Sequence, residues 1–281
     1  MIGNIFATSR QLRRKRRVIK ASLILFCVLL FVGIVIAFFN LSKFRISQIS
    51  IEGAVVLDQE QFKGETLNFL KEKYLKLFPY DNIFILPEGK LAADLSEIFP
   101  LLKKIVISRD FPQKISIAIE ERKAEALWCA DSDSASIPAS STSTLESLPK
   151  ESCAFADADG FIFQPAPSFS GAIFLKFFDE REQPSGMGKM MTDGDEFQKL
   201  TSFAGLLKEN GFDISKIILK DAGIREVYLK EGWYILLNDK NEPDQTFSNL
   251  ELVLDQEIKE KRPKLDYIDL RFGKKVFYKF K

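Results

Sequence analysis

No histidine occurs anywhere in the 281 residues. That absence removes Ser-His-Asp and Cys-His arrangements and every zinc site built on an imidazole. Cysteine is scarce too: three residues exclude a Cys₄ zinc site by count. The spacings G-x-S-x-G, G-x-x-x-x-G-K-[ST] and G-x-G-x-x-G are all missing. Asp and Glu are plentiful, so a pair of them suited to glycoside hydrolysis carries no signal of its own. A net charge of +1 and a pI near 7.6 give no whole-chain argument for nucleic acid. The expectation is a binding protein, not an enzyme, with no catalytic residue, no metal, no cofactor, no nucleic acid and no small-molecule substrate.

Charge is absent locally as well. Ala21 to Phe39 (ASLILFCVLLFVGIVIAFF) holds no charged residue in nineteen positions, which is about the length that crosses ~30 Å of hydrocarbon. Arg10, Arg13, Arg14, Lys15, Arg16, Arg17 and Lys20 crowd just before it. The run is longer than the apolar core of a signal peptide and leaves through Ala37-Phe38-Phe39-Asn40, a poor cleavage site. Positive charge stays on the cytoplasmic side, so the sequence predicts a basic tail inside (1–17), one span (18–41) and everything from about residue 42 outside. The lipid contact expected is that one span.

Beyond the span the periodicity changes. FRISQISIEG (Phe44–Gly53) alternates as a strand, and Val56 to Phe78 carries a helical spacing that Pro79 would end. Glu88 to Phe99 reads as a second helix closed by Pro100. LLKKIVISR and KISIAIEER then read as two strands joined by Asp110-Phe111-Pro112-Gln113. Strand, helix, helix, strand, strand makes a compact α+β unit.

Pro100, Phe111-Pro112, Glu121-Arg122 and Trp128 fall in the order found at the end of the POTRA module, and here the chain resembles the FtsQ/DivIB family of bacterial division proteins. DADGFIF (Asp157–Phe163) resembles that family's Asp-x-x-Gly hairpin, EGWYILLND (Glu231–Asp239) its Trp-bearing strand, and YIDLRFG (Tyr267–Gly273) its Asp-Leu-Arg-Tyr signature, with Phe272 replacing the Tyr. The resemblance implies an α+β fold with a POTRA domain at 44–122 and a β-rich domain at 123–281. It also implies a bitopic scaffold at the division septum of the cell membrane. Its partners would be small single-span coiled-coil proteins of the FtsB/DivIC and FtsL kinds, and its task to help regulate septal peptidoglycan synthesis. The rival readings are an envelope enzyme or enzyme subunit acting on cell wall, and another POTRA-bearing translocation or adhesion protein.

Three local features of the outer part invite a reading. DADG (Asp157–Gly160) hints at calcium, yet an EF-hand loop needs glycine sixth and Glu twelfth. Here Gly160 is fourth and Ser168 is twelfth, so the stretch reads as a turn. The segment 131–150 has nine Ser or Thr in twenty residues and reads as a disordered insertion. Cys129 and Cys153 border it. If the flanks pair with 127 opposite 155, then 129 faces 153 and a disulfide would close the insertion at its base. The alternative is two unpaired thiols acting as small hydrophobes.

The last residues read as a hairpin, Ile268–Phe272 with Val276–Phe280. A three-residue loop would pair Phe272 with Val276, Leu270 with Tyr278, Ile268 with Phe280 and Asp269 with Lys279. In the family this region resembles the place where a partner segment adds itself as a further strand. That match points to Phe272, Val276, Phe277 and Tyr278 as partner-binding residues. The bland alternative is that Lys274, Lys275, Lys279 and Lys281 only protect an idle edge.

Overall fold

The structure is a computed structural model that describes residues 3–74, 78–131, 151–167 and 173–281. The chain divides into two compact units, Met1–Ile98 with Lys104–Glu121, and Phe99–Lys103 with Arg122–Lys281.

The first unit begins with helix α1 (Gly3–Phe39). Among the described residues, Val18–Phe39 is the one stretch long and apolar enough to cross a membrane, at 22 residues. A three-residue turn (Ser42–Phe44) leads to β1 (Gln48–Glu52), so the strand is shorter than the alternation in FRISQISIEG suggests. Helix α2 (Gln59–Leu70) starts where Asp58 accepts hydrogen bonds from the amides of Glu60 and Gln61. It does not start at Val56, because the amides of Val55, Val56 and Leu57 donate to the Glu121 carboxylate instead.

Nor does α2 run to Phe78. It stops at Leu70, and a small hairpin follows, β2 (Lys73–Tyr74) against β3 (Phe78–Pro79). The helical spacing through Tyr74 is coincidental: Tyr74 is exposed, and Tyr80 is the ring that stacks on Phe69, at 5.3 Å. Helix α3 (Glu88–Ile98) then buries Leu91 and Leu95, the apolar stripe expected from their spacing. Strands β4 (Leu102–Asp110) and β5 (Lys114–Glu121) complete a three-stranded sheet in the order β1-β5-β4, with β1 parallel to β5. Ile115, Ile117 and Ile119 are the buried alternation of β5.

The second unit holds, among the described residues, a nine-stranded sheet. Its strands are β6 (Ala126–Asp131), β7 (Glu151–Ala156), β8 (Ile162–Pro165), β9 (Leu175–Asp179), β10 (Ile214–Leu219), β11 (Ile224–Leu229), β12 (Tyr234–Asn238), β13 (Leu265–Phe272) and β14 (Lys275–Phe280). The order across the sheet is β14-β13-β12-β11-β10-β9-β6-β7-β8. Helices α4 (Gly194–Glu209) and α5 (Pro243–Val253) share one core with it, where Phe197, Phe203, Leu207 and Leu250 meet Ile217, Val227, Ile235 and Ile268. Helices on one face of a mixed sheet, after an α+β first unit, make the fold α+β.

The turn between β7 and β8 explains DADG. Asp157 is buried and accepts from the amides of Asp159 and Phe161 and from Arg122. Its oxygens are therefore committed to protein donors. Gly160 sits at φ +81°, which glycine adopts freely. Between β6 and β7, Leu127 stands opposite Phe155 and Cys129 opposite Cys153, and the two sulfurs are bonded. The Ser-rich insertion beyond them, apart from Asp131 itself, lies outside the described residues.

Candidate functional site

The order of strands leaves β14 at one margin of the large sheet, and among the described residues it pairs with β13 alone. The pairing differs from the register expected of a three-residue loop. Phe272 pairs with Lys275, Asp269 with Phe277, Ile268 with Tyr278, Tyr267 with Lys279 and Leu265 with Phe280. The loop is the two residues Gly273-Lys274, with Gly273 at φ +64°. Glycine in the first place of a two-residue loop is the mark of a type II′ turn, which suits the twist of the strands it joins. Mixed apolar and polar neighbours are accommodated because β13 slips twice, between Leu265 and Tyr267 and between Asp269 and Phe272.

Asp269 and Arg271 stabilise the second slip. Asp269 is buried and accepts from the amide, Nε and an Nη of Arg271 two residues on. Hydrogen bonding to Asp269 raises the Arg271 guanidinium further above its ordinary value. The expected Asp269–Lys279 contact is therefore replaced: Asp269 serves its own strand, and Lys279 reaches Asp266 at 2.9 Å. This gives the Asp-Leu-Arg signature a physical reading, as a clamp on a bulge.

The face of the sheet away from the helices carries a ladder in register. Lys216 on β10, Tyr228 on β11, Tyr234 on β12, Tyr267 on β13 and Lys279 on β14 are successive cross-strand partners. The tyrosine rings lie 4.9 and 5.5 Å apart, and a lysine stands over each outer ring. Burial, and then the hydrogen bond to Glu226, push the Tyr228 phenol well up. Each cross-strand pair of this kind is worth about 0.2–1 kcal/mol, so the ladder holds β14 to the sheet from one side. From the other side Val276 and Phe280 pack against the helix-covered core. Trp233 is fixed nearby: its Nε1 donates to Glu231, which Arg262 grips while stacking over Phe212 at 4.5 Å. Burial alone would raise the Glu231 carboxyl, but Arg262 and Trp233 hold it below its ordinary range.

The backbone of β14 has a sided pattern. The Lys281 amide donates to the Lys264 carbonyl, and β14 itself contains no extra residue. Alternation along an antiparallel ladder then aims the amides of 275, 277, 279 and 281 at β13, and those of 276, 278 and 280 outward. The outward row is a template for another extended segment. Apolar side chains flank it on both faces: Phe277 is 53% exposed and meets Phe272, itself 55% exposed, edge-on at 5.5 Å, while Tyr278 is 39% exposed. Of the four residues singled out from the sequence, the structure gathers Phe272, Phe277 and Tyr278 around this edge. Val276 turns into the core instead and supports the strand from beneath.

The sequence gives Asp269 a different partner, Lys279, and assigns no role to Arg271, Glu231 or Arg262. The i, i+2 spacing of Asp269 and Arg271 puts both on one strand face and was a legible signal. Nothing local links Glu231 to Arg262, which are thirty-one positions apart.

Residues 44–122 match the family model of the FtsQ-type POTRA domain. No curated protein matches the chain. A POTRA domain of FtsQ type, behind one N-terminal apolar helix and within an α+β fold, makes the chain consistent with the FtsQ/DivIB family of bacterial division proteins.

Proposed function

We propose that this protein is a membrane-anchored scaffold of the division machinery. Its outer part captures small single-span coiled-coil proteins of the FtsB/DivIC and FtsL kinds by strand addition at β14, and so helps regulate septal peptidoglycan synthesis. The observation that carries the reading is the outward amide row of β14 with Phe272, Phe277 and Tyr278 exposed beside it. Backbone hydrogen bonds would supply affinity there and the aromatic side chains selectivity. The FtsQ-type domain supports a role in division without catalysis. The basic residues before the span support a cytoplasmic N-terminus and outer domains beyond the membrane. Depleting the protein should leave filamentous, undivided cells, and affinity capture of the full chain should recover single-span coiled-coil proteins. Normal septation after depletion would overturn the proposal.

A further inference from the structure

The junction between α1 and the first domain is built as a rigid joint. The carbonyl of Phe39, at the helix end, would ordinarily lack an intrahelical partner. Here the side-chain amide of Asn82, a fully buried residue, donates to it at 2.7 Å. Gln113 donates to the carbonyl of Ser42, the Ile83 amide to the carbonyl of Phe44, and the Ile46 amide to the carbonyl of Asp81. A flexible linker would leave these groups to water. The span and the domain therefore move together.

That joint fixes which surface of the domain lies at the membrane. Val18–Phe39 has 22 residues, about 33 Å of helix against ~30 Å of hydrocarbon, so Phe38 and Phe39 sit at the outer boundary of the bilayer. A continuous group of rings surrounds them. Phe38 lies 5.4 Å from Phe44 and 6.2 Å from Phe84, Phe84 lies 5.4 Å from Phe111, and Phe39 meets Phe78 at 5.9 Å. Phe84 and Phe111 belong to the domain, yet they are 41% and 60% exposed. Phe111 forms the tip of the β4–β5 turn. Large apolar side chains left open beside a lipid-crossing helix form an extension of its lipid-facing surface.

We propose that this end of the first domain is seated in the interfacial layer of the bilayer, with Phe84 and Phe111 inserted among the acyl chains near the headgroups. The proposal rests on reading α1 as a membrane span. The contact is apolar, not a site for anionic lipid. Arg45, Arg109 and Lys114 around it are matched with Asp81, Glu88 and Asp110, and Lys43, exposed in the Ser42–Phe44 turn, is the one cation of the joint with no ion pair among the described residues. Seating the domain this way would set its tilt against the membrane and hold the rest of the first unit at a fixed height.

The test uses the full chain in nanodiscs of phosphatidylethanolamine and phosphatidylglycerol, with nitroxide labels read by collision with oxygen and with a nickel chelate. Cys27, inside the span, is labelled in the natural sequence. Phe84→Cys, Phe111→Cys and Val55→Cys are each labelled in a Cys27→Ser background. Val55 is 86% exposed and lies beyond the opposite end of β1, so it reports water. The expected result is oxygen collision exceeding nickel-chelate collision severalfold at 27, 84 and 111, and the reverse at 55. The same pattern is expected in neutral phosphatidylcholine. Lipid-like collision at 27 with water-like collision at 84 and 111 would overturn the seating while leaving the span intact, and would assign the exposed rings to a protein partner. Water-like collision at 27 would overturn both readings. Burial at 84 and 111 that vanishes in phosphatidylcholine would overturn the apolar basis.

Discussion

Replacing Gly160 with alanine adds one methyl at a point where the backbone and the core both resist it. At φ +81° an L-residue is strained by roughly 1–2 kcal/mol. A Cβ built there would lie 2.8 Å from the ring of Phe197, which is buried against Phe177 and has nowhere to retreat. Overpacking of this kind costs about 1–3 kcal/mol, so the sum is ~2–5 kcal/mol. For a domain of this size that corresponds to a midpoint lowered by roughly 4–20 °C. Both tryptophans, Trp128 and Trp233, are buried in the second unit, so their fluorescence reports its unfolding without separating the domains. Gly205→Ala is the matched control: it lies within α4, where a new Cβ meets nothing within 4 Å. Alanine is favoured over glycine in a helix by about 0.5–1 kcal/mol, so that variant should melt slightly higher. Equal midpoints for the two variants would refute the reading of DADG as a turn locked under α4.

Other consequences follow from single contacts. Burial alone would raise the Asp179 carboxyl, but Arg181, the Ser185 amide and Trp128 hold it below its ordinary value. A depressed carboxylate stabilises above its unfolded pKa, and that contribution is lost as pH falls through the folded one. Asp179→Asn should therefore lower stability near pH 7 and flatten the decline below about pH 4; an unchanged acid limb in urea titrations would contradict this. Removing both Cys129 and Cys153 by alanine substitution opens a closure across 24 positions, and the chain-entropy account sets the loss at about 3.5 kcal/mol. A double variant with the midpoint of the oxidised protein would show that the bridge constrains nothing.

Where local chemistry decided the structure, it was legible. The isoleucine alternation of β5 and the leucine spacing of α3 each follow from a single period matched to one buried face. Proline was a good marker after α3 and a misleading one after α2, because Pro79 lies in β3, beyond a helix that had already ended at Leu70. Glu121 shows why the start of α2 was misplaced: its carboxylate holds three amides more than sixty positions away. The terminal hairpin is legible in the alternation of its residues, and its register is not. Pairing apolar with apolar residues ignores bulges, and the bulge rests on Asp269 and Arg271, whose i, i+2 bond the pairing of Asp269 with Lys279 leaves out.

Strand addition at β14 depends on outward amides more than on any side chain, and proline isolates that dependence. Tyr278→Pro deletes one outward donor while leaving the amides of 277 and 279 aimed at β13, Tyr278→Ala is the reference that loses the ring alone, and an edge strand tolerates proline where its N–H faces solvent. Lys279→Pro removes an inward donor and serves as the control for a damaged strand. The decisive measurement is the affinity of the full-length Tyr278→Pro variant for the captured coiled-coil protein, with circular dichroism and the tryptophan melt showing that the fold is kept. The account predicts at least a tenfold loss, about 1.4 kcal/mol, with a melting midpoint close to that of the natural chain. Unchanged affinity in that folded variant would contradict capture through the free edge of β14.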